Sequence, residues 1–89
     1  MSKGFVYVLR SLKNNRFYIG STTDIFERLK KHERGGVTAT KYLRPLKLEL
    51  FQQFDNFSIA RKVEFKLKKF KRRDFLDKIV RDGMIKMGL

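Results

Sequence analysis

The chain has 89 residues, with 22 Lys and Arg against 9 Asp and Glu, so its formal net charge is +13. That length supports one domain, predicted over residues 1–89 with a core at about 5–82, and the 42% apolar content is typical of a globular chain. The absence of cysteine excludes disulfides, thiolate zinc sites and cysteine nucleophiles, and no apolar run reaches the ~20 residues that a membrane span needs. We therefore expect a cytoplasmic protein with a polyanionic partner, nucleic acid before an anionic membrane.

Two strands are predicted first along the chain. Residues 5–9 and 16–20 are short runs rich in aromatic and β-branched side chains, and the turn-forming segment Lys13-Asn14-Asn15 lies between them. This pattern is typical of an antiparallel hairpin.

A first helix is predicted from about residue 24 to 34. Asp24 supplies an N-cap oxygen, Glu27 follows three residues later as in a capping box, and a pair of glycines at 35–36 ends the helix. Its predicted apolar stripe consists of Ile25, Phe26 and Leu29.

The second half of the chain is predicted to form one strand and two helices. Leucines alternate with other residues at the start of a strand over 47–54, and Ser58 is the expected cap of a helix that runs to about residue 70. The apolar stripe of this helix consists of Ile59, Ala60, Val63, Leu67 and Phe70. A third helix begins at Arg73 or Asp74 and ends at Gly83. The order β-β-α-β-α-α predicts an α+β fold, a small layered domain with a three-stranded antiparallel sheet flanked by three helices.

Three polar residues lie beside the apolar stripes of the predicted helices. Arg28 and His32 are four residues apart next to the first stripe, so we expect them at the rim of the core. Glu64 borders the second stripe and is the only acid among eight basic residues between positions 61 and 73, a local charge of +7. Simpler interpretations remain open, with Arg28 and His32 as solvated groups and Glu64 as an intrahelical partner of Lys68.

Together with two tyrosines, which are otherwise core aromatics, these residues supply what hydrolysis of a phosphodiester needs. One carboxylate can bind one Mg²⁺ while waters and phosphate fill the other positions, and an arginine can grip a phosphate with two hydrogen bonds. Tyrosine and histidine can pass protons, although a phenol with an ordinary pKa of about 10 must be activated before it acts as a base. The residues of this candidate site are Tyr7, Tyr18, Arg28, His32 and Glu64.

Two triplets and two helical segments carry a family resemblance. The triplets are Phe5-Val6-Tyr7 and Tyr18-Ile19-Gly20, the first helical segment runs from Ser21 to His32, and the second contains Ala60, Arg61 and Glu64. Over roughly residues 5–80 the sequence resembles the GIY-YIG nuclease superfamily, most closely its small stand-alone bacterial members. It departs from the family pattern in having Phe and Val before the first Tyr, and it lacks an Asn that many members carry late in the domain.

The resemblance implies a divalent-metal-dependent endonuclease that uses one Mg²⁺ or Mn²⁺ ion and leaves a 5′-phosphate and a 3′-hydroxyl. Tyr7 would be the general base or water-orienting group, with His32 relaying its proton. Tyr18 would position the water or the scissile phosphate. Arg28 would stabilise the charge that develops at phosphorus, and Glu64 would hold the metal on the leaving-group side.

Basic residues around the candidate site are predicted to hold the phosphate backbone of DNA. Such contacts make binding sensitive to salt and carry little sequence information. Exposed aromatic side chains would stack on unpaired bases, and Phe65 is the best candidate because it points away from its helix's apolar stripe. Tyr42 and Phe57 are weaker candidates. The predicted nucleic-acid-binding residues are Lys30, Lys31, Arg34, Lys41, Arg44, Arg61, Lys62, Lys68, Lys69, Lys71 and Arg72.

The leading hypothesis is therefore a strand- or structure-selective DNA endonuclease, with RNA left open as a substrate. A non-catalytic nucleic-acid-binding module is the alternative. A third possibility is a subunit of a DNA repair or recombination complex, in which a protein partner provides targeting. The presence of all five candidate site residues favours the enzyme, because binding alone would not require Glu64 within a basic run.

Overall fold

The sheet begins with the predicted hairpin in the computed structural model, which describes residues 3–70 and 72–85. Strand β1 (Gly4–Ser11) pairs antiparallel with β2 (Phe17–Thr22), and Asn15 adopts a left-handed conformation in the turn between them, with φ at 66°. Asn tolerates this conformation better than most residues. Strand β3 (Leu46–Phe54) pairs antiparallel with the other edge of β1, which gives the strand order β2-β1-β3.

Three helices complete the predicted order and confirm the α+β class. They are α1 (Ile25–Glu33), α2 (Phe57–Phe70) and α3 (Arg73–Asp82). Asp24 caps α1 as expected by accepting a hydrogen bond from the Glu27 amide, and Gly83 ends α3 in a left-handed conformation. No helix in residues 3–70 and 72–85 is both long enough and apolar enough to cross a membrane.

The expected cap of α2 is wrong by two residues. Helix α2 begins at Phe57, and the Asn56 side chain accepts a hydrogen bond of 2.9 Å from the Ile59 amide. Ser58 therefore lies inside the first turn. Asn and Ser are about equally good N-cap residues, so the choice between them depends on where the strand before the helix ends.

The sheet carries a hydrophobic cluster on each face, because alternate side chains of β1 point to opposite sides. Val6 and Val8 pack on the face covered by α2 and α3, where the buried residues include Ala60, Val63, Leu67, Leu76 and Ile79. Tyr7 and Leu9 point to the other face and pack against Ile25 of α1. Ile85 is also buried on the α2 and α3 face. The Phe70 side chain lies outside the described part of the structure.

Helix α1 turns Ile25 and Leu29 of its predicted apolar stripe to the sheet, but not Phe26. Phe26 is 74% exposed, so its assignment to the apolar stripe is wrong, and His32 is buried instead of lying at the rim. At 100° per residue, His32 lies close to Ile25 on the helix surface, whereas Phe26 lies about 100° away. Hydrogen-bond partners for both ring nitrogens of His32 make its burial possible, and the helix is rotated accordingly.

Candidate active site

Tyr7 reaches the edge of the sheet by passing over a glycine. Tyr7 and Gly20 are cross-strand partners in β1 and β2. A Cβ atom on residue 20 would lie only 2.5 Å from Cζ of Tyr7, so the ring occupies the space that a side chain would fill. The glycine of the second triplet therefore lets the phenol lie over β2, with its ring buried at 1% exposure.

A buried chain of hydrogen bonds begins at the Tyr7 hydroxyl. This hydroxyl lies 2.7 Å from Nε2 of His32, and Nδ1 of His32 lies 2.7 Å from Oγ1 of Thr40. The Thr40 hydroxyl in turn donates to the Val37 carbonyl at 3.5 Å. The chain thus links β1 through α1 to the loop before β3.

The chain favours one tautomer of His32. Because the Thr40 hydroxyl donates its hydrogen to a carbonyl, its oxygen is left to accept a hydrogen bond from Nδ1–H of His32. A neutral imidazole with hydrogen on Nδ1 has its lone pair on Nε2, which then accepts from the Tyr7 hydroxyl. His32 is therefore oriented as a proton acceptor for Tyr7.

The protonation states of both groups follow from burial and from nearby charge. Burial, together with the smaller effects of the positive charges of Arg28 and Lys31, lowers the pKa of His32 to about 4. Burial also raises the pKa of Tyr7 well above its ordinary value; Tyr18 and Glu64 add to this rise, and Arg28 opposes it. At neutral pH the pair is a protonated phenol and an uncharged imidazole.

Tyr18 and Arg28 lie around this pair. The ring centroid of Tyr18 is 6.4 Å from that of Tyr7 and 5.2 Å from that of His32. Arg28 lies close enough for its charge to act on the pKa of both Tyr7 and His32. Among the described residues, its guanidinium has no hydrogen-bond or ion-pair partner. It is therefore available to bind an anion next to Tyr7.

Glu64 approaches the same place from α2, on the other side of the β2 edge. Ser21 of β2 donates a hydrogen bond from its hydroxyl to Oε1 of Glu64, and Lys68 lies 2.7 Å from Oε2. The ammonium of Lys68 is also 5.7 Å from the ring centroid of Tyr18. The intrahelical pair considered as the simpler interpretation of Glu64 is thus present, and it coexists with closeness to the tyrosines.

One divalent ion fits the carboxylate that this arrangement presents. No group of three or more His, Asp or Glu side chains in the described ranges is arranged to hold a metal. Mg²⁺ is commonly held by a single carboxylate, with waters and a substrate phosphate as its other ligands. The side chains of Glu64 and Lys68 are 20% and 46% exposed, and an i,i+4 ion pair on a helix contributes only about 0.3–0.5 kcal/mol. An ion could therefore displace Lys68 at little cost.

The predicted nucleic-acid-binding residues are spread over several surfaces. Arg61 and Lys62 line a groove on the outside of α2 together with Phe65, which is exposed as expected. Lys68 faces the candidate site, and Arg72 is paired with Asp74. The basic run of residues 61–73 is therefore not one continuous stripe. Lys71 lies outside the described residues.

The remaining predicted basic residues, apart from Lys69 of α2, belong to α1 and the loop after it. Lys30 pairs with Glu27 at 3.8 Å, and Lys31 lowers the pKa of His32. Arg34 follows α1 as its C-terminal cap and is exposed. Lys41 and Arg44 line a groove with His32. Lys69 of α2 is exposed.

Two residues of the site were not singled out from the sequence. Thr40 is fully buried and holds His32, whereas Ser21 holds Glu64. Thr40 lies eight residues beyond His32 in a loop rich in threonine, so nothing local distinguishes it from Thr38. A buried histidine needs a partner for each ring nitrogen, which is a signal that sequence alone could not assign to one threonine.

Comparison with known proteins identifies the family. The family profile of the GIY-YIG catalytic domain matches residues 3–77. A UPF0213 protein of Staphylococcus saprophyticus is 36% identical over 84 residues, which cover 93% of this chain and all of that protein. A UPF0213 protein of Listeria monocytogenes is 38% identical over 74 residues, or 82% of each chain. The solution structure of UPF0213 protein BH0048 from Bacillus halodurans superposes with a TM-score of 0.57 at 31% identity, covering 91% of this chain and 86% of that one. The chain belongs to the GIY-YIG nuclease family.

Proposed function

We propose that the protein is a divalent-metal-dependent endonuclease that hydrolyses DNA phosphodiester bonds with one Mg²⁺ or Mn²⁺ ion and little sequence preference. Family membership implies a nucleic acid substrate, and a net charge of +13 on 89 residues supports binding to a polyanion. The observation that carries the proposal is the Tyr7–His32 hydrogen bond. It joins a buried, uncharged imidazole to a phenol that lies near a single carboxylate, Glu64.

Tyr7 and His32 would handle the proton of the attacking water. Tyr7 alone is a poor base, because burial keeps its pKa high. If Tyr7 passes its proton to Nε2 of His32 as it takes one from water, no phenolate has to accumulate. A bound phosphate beside Arg28 would offset the positive charge that lowers the pKa of His32, which makes the imidazole a better acceptor when substrate is present.

The other residues would bind the phosphate and the ion. Arg28 would contact the phosphate oxygens where charge develops, and Tyr18 would fix the water or the scissile phosphate. Glu64 would hold the ion, with Ser21 fixing the orientation of the carboxylate. The bound ion would neutralise charge on the leaving 3′-oxygen. The products would be a 5′-phosphate and a 3′-hydroxyl.

A non-catalytic nucleic-acid-binding module is the second candidate, and the Glu64–Lys68 ion pair favours it. If Glu64 served only to fix Lys68 in a phosphate-binding surface, neither residue would need a metal. Targeting by a partner protein within a DNA repair complex is compatible with either candidate. Under either candidate, the protein is proposed to be cytoplasmic.

Cleavage assays with Glu64→Ala separate the two candidates. Labelled single-stranded, duplex and branched DNAs are incubated with Mg²⁺ or Mn²⁺, and binding is measured separately in EDTA. We expect the wild type to cleave at least one substrate, and we expect Glu64→Ala to lose cleavage while DNA binding persists or rises. Asp77→Ala is the matched control, because Asp77 forms an exposed helical ion pair with Arg73 away from Tyr7. Binding without cleavage by the wild type on every substrate would refute the enzyme.

A further inference from the structure

A second groove shares His32 with the candidate active site. It is open, has a volume of about 680 Å³, and lies between α1, the loop that follows α1, and β3. This volume is within the range of about 300–1,000 Å³ that is usual for pockets that bind small molecules. The apolar part of its lining includes Leu9, Leu29, Leu46 and Leu48. His32 contacts Tyr7 with one ring nitrogen and also lines the groove, so the two sites are connected through this buried residue.

The rim of the groove carries an excess of positive charge. Lys13, Lys41 and Arg44 line it against one acid, Glu33. Arg44 is held in place by donating to the backbone carbonyls of Lys41 at 3.0 Å and Glu33 at 3.2 Å. Because these acceptors are uncharged, the positive charge of Arg44 is not neutralised by them. A rim of this kind attracts a phosphate group.

Tyr42 presents an aromatic face at the same rim. Its side chain is 75% exposed, although it is a large aromatic residue in an ordered turn. The ammonium of Lys41 lies 5.6 Å from the ring centroid, so a positive charge accompanies the ring. An exposed ring next to basic groups and an apolar floor matches the two parts of a nucleotide, a flat base and an anionic phosphate.

We propose that this groove binds one unpaired nucleotide of the strand that the candidate site holds, with its base against Tyr42 and the leucine floor and its phosphate at the basic rim. The inference rests on the proposed function, because it states that the proposed endonuclease selects single-stranded over duplex DNA. In a duplex the base faces are stacked on each other, so neither Tyr42 nor the leucines would find a partner. The groove therefore selects single-stranded segments of DNA.

Binding measured in EDTA tests this proposal without cleavage. The probes are a 12-nucleotide single strand that contains 2-aminopurine and a hairpin that presents the same sequence as duplex. In the wild type, stacking of Tyr42 on 2-aminopurine should quench the fluorescence of that base. We expect Tyr42→Ala to weaken single-strand binding about tenfold and to abolish this quenching, while duplex binding changes less than about twofold. Tyr42→Phe keeps the ring and should bind like the wild type. Phe26→Ala removes an equally exposed aromatic residue of α1 that does not line the groove and should change neither affinity.

Two results would overturn the proposal. One is an equal loss for single strand and duplex with Tyr42→Ala, because the ring would then contribute only to general binding. The other is unchanged single-strand binding and quenching. Failure of the proposed function gives a different pattern: single-strand binding that depends on Tyr42, with no cleavage under any metal condition. Cleavage by the wild type with binding independent of Tyr42 would refute the groove alone.

Discussion

Tyr7 and Gly20 are direct cross-strand partners, and the Tyr7 ring fills the space in which a side chain at position 20 would lie. The two family triplets are thus one structural unit, because the Gly of the second triplet makes room for the Tyr of the first. The hydroxyl can reach His32 only while the ring keeps this position over β2. This relationship leads to the first prediction.

Gly20→Ala should displace Tyr7 and abolish cleavage. The added methyl group would overlap the ring, and overpacking of a well-packed site costs about 1–3 kcal/mol in the free energy of unfolding. The measurements are urea unfolding and cleavage. Gly36→Ala is the control, because the atoms nearest to its Cβ would belong to Lys31 at 3.0 Å or more, so both properties should change little. Wild-type cleavage by Gly20→Ala would contradict the role of the ring position.

Thr40→Val should remove the preference of His32 for hydrogen on Nδ1. The change keeps the shape of the side chain but leaves Nδ1–H without its acceptor, which costs about 1–3 kcal/mol for a buried group. His32 is the only histidine, so ¹⁵N chemical shifts of its ring report the tautomer directly. We expect the shifts to move towards a mixture of tautomers and cleavage to fall about tenfold or more.

Thr40→Ser is the control for this prediction, because it keeps the hydroxyl. It should retain both the ¹⁵N shifts and most of the cleavage activity. A tautomer that stays on Nδ1 in Thr40→Val would show that another group orients the imidazole.

Sequence patterns predicted the elements of the fold well, but they did not predict that His32 of the candidate site is buried. Asp24, Gly83 and the aromatic and β-branched run of residues 5–9 are local signals, and each correctly predicted part of an element of the structure. The burial of His32 is not local, because it depends on Tyr7 at 25 residues' separation and on Thr40 in the following loop. Phe26 was wrongly assigned to the apolar stripe for the same reason. The hydrogen bonds of His32 to Tyr7 and Thr40 allow His32 to be buried against the sheet, whereas Phe26 is exposed.

Stability should fall as the pH falls through the range in which His32 titrates. The pKa of His32 is about 4 in the folded protein and about 6.5 when the chain is unfolded, so between these values the unfolded state binds more protons. The stabilisation from His32 is therefore complete above about pH 6.5 and is lost as the pH falls towards 4, a change of about 3 kcal/mol. Urea unfolding from pH 4.5 to 7.5 measures it.

His32→Gln is the comparison that isolates this contribution. The variant lacks the titrating group, so its free energy of unfolding should rise less between pH 4.5 and 6.5 than that of the wild type, even if it is lower throughout. The carboxylates titrate in both proteins and cancel in the difference. Parallel pH profiles would contradict the low pKa of the buried imidazole.

Lys68→Met should strengthen metal binding at Glu64. The Lys68 ammonium lies 2.7 Å from Oε2 and must leave before an ion can take that oxygen. A helical i,i+4 ion pair contributes about 0.3–0.5 kcal/mol, so its removal should lower the Kd for Mn²⁺ about twofold. Paramagnetic broadening of the Ser21 and Tyr18 signals by Mn²⁺, measured without DNA, reports binding at this site.

Because the side chains of Ser21 and Lys68 each contact a different oxygen of Glu64, Lys68→Met leaves the Ser21 contact in place. Glu64→Gln should lose the broadening, Asp77→Asn should keep it, and a weaker or unchanged Kd in Lys68→Met would show that Lys68 does not compete with the ion.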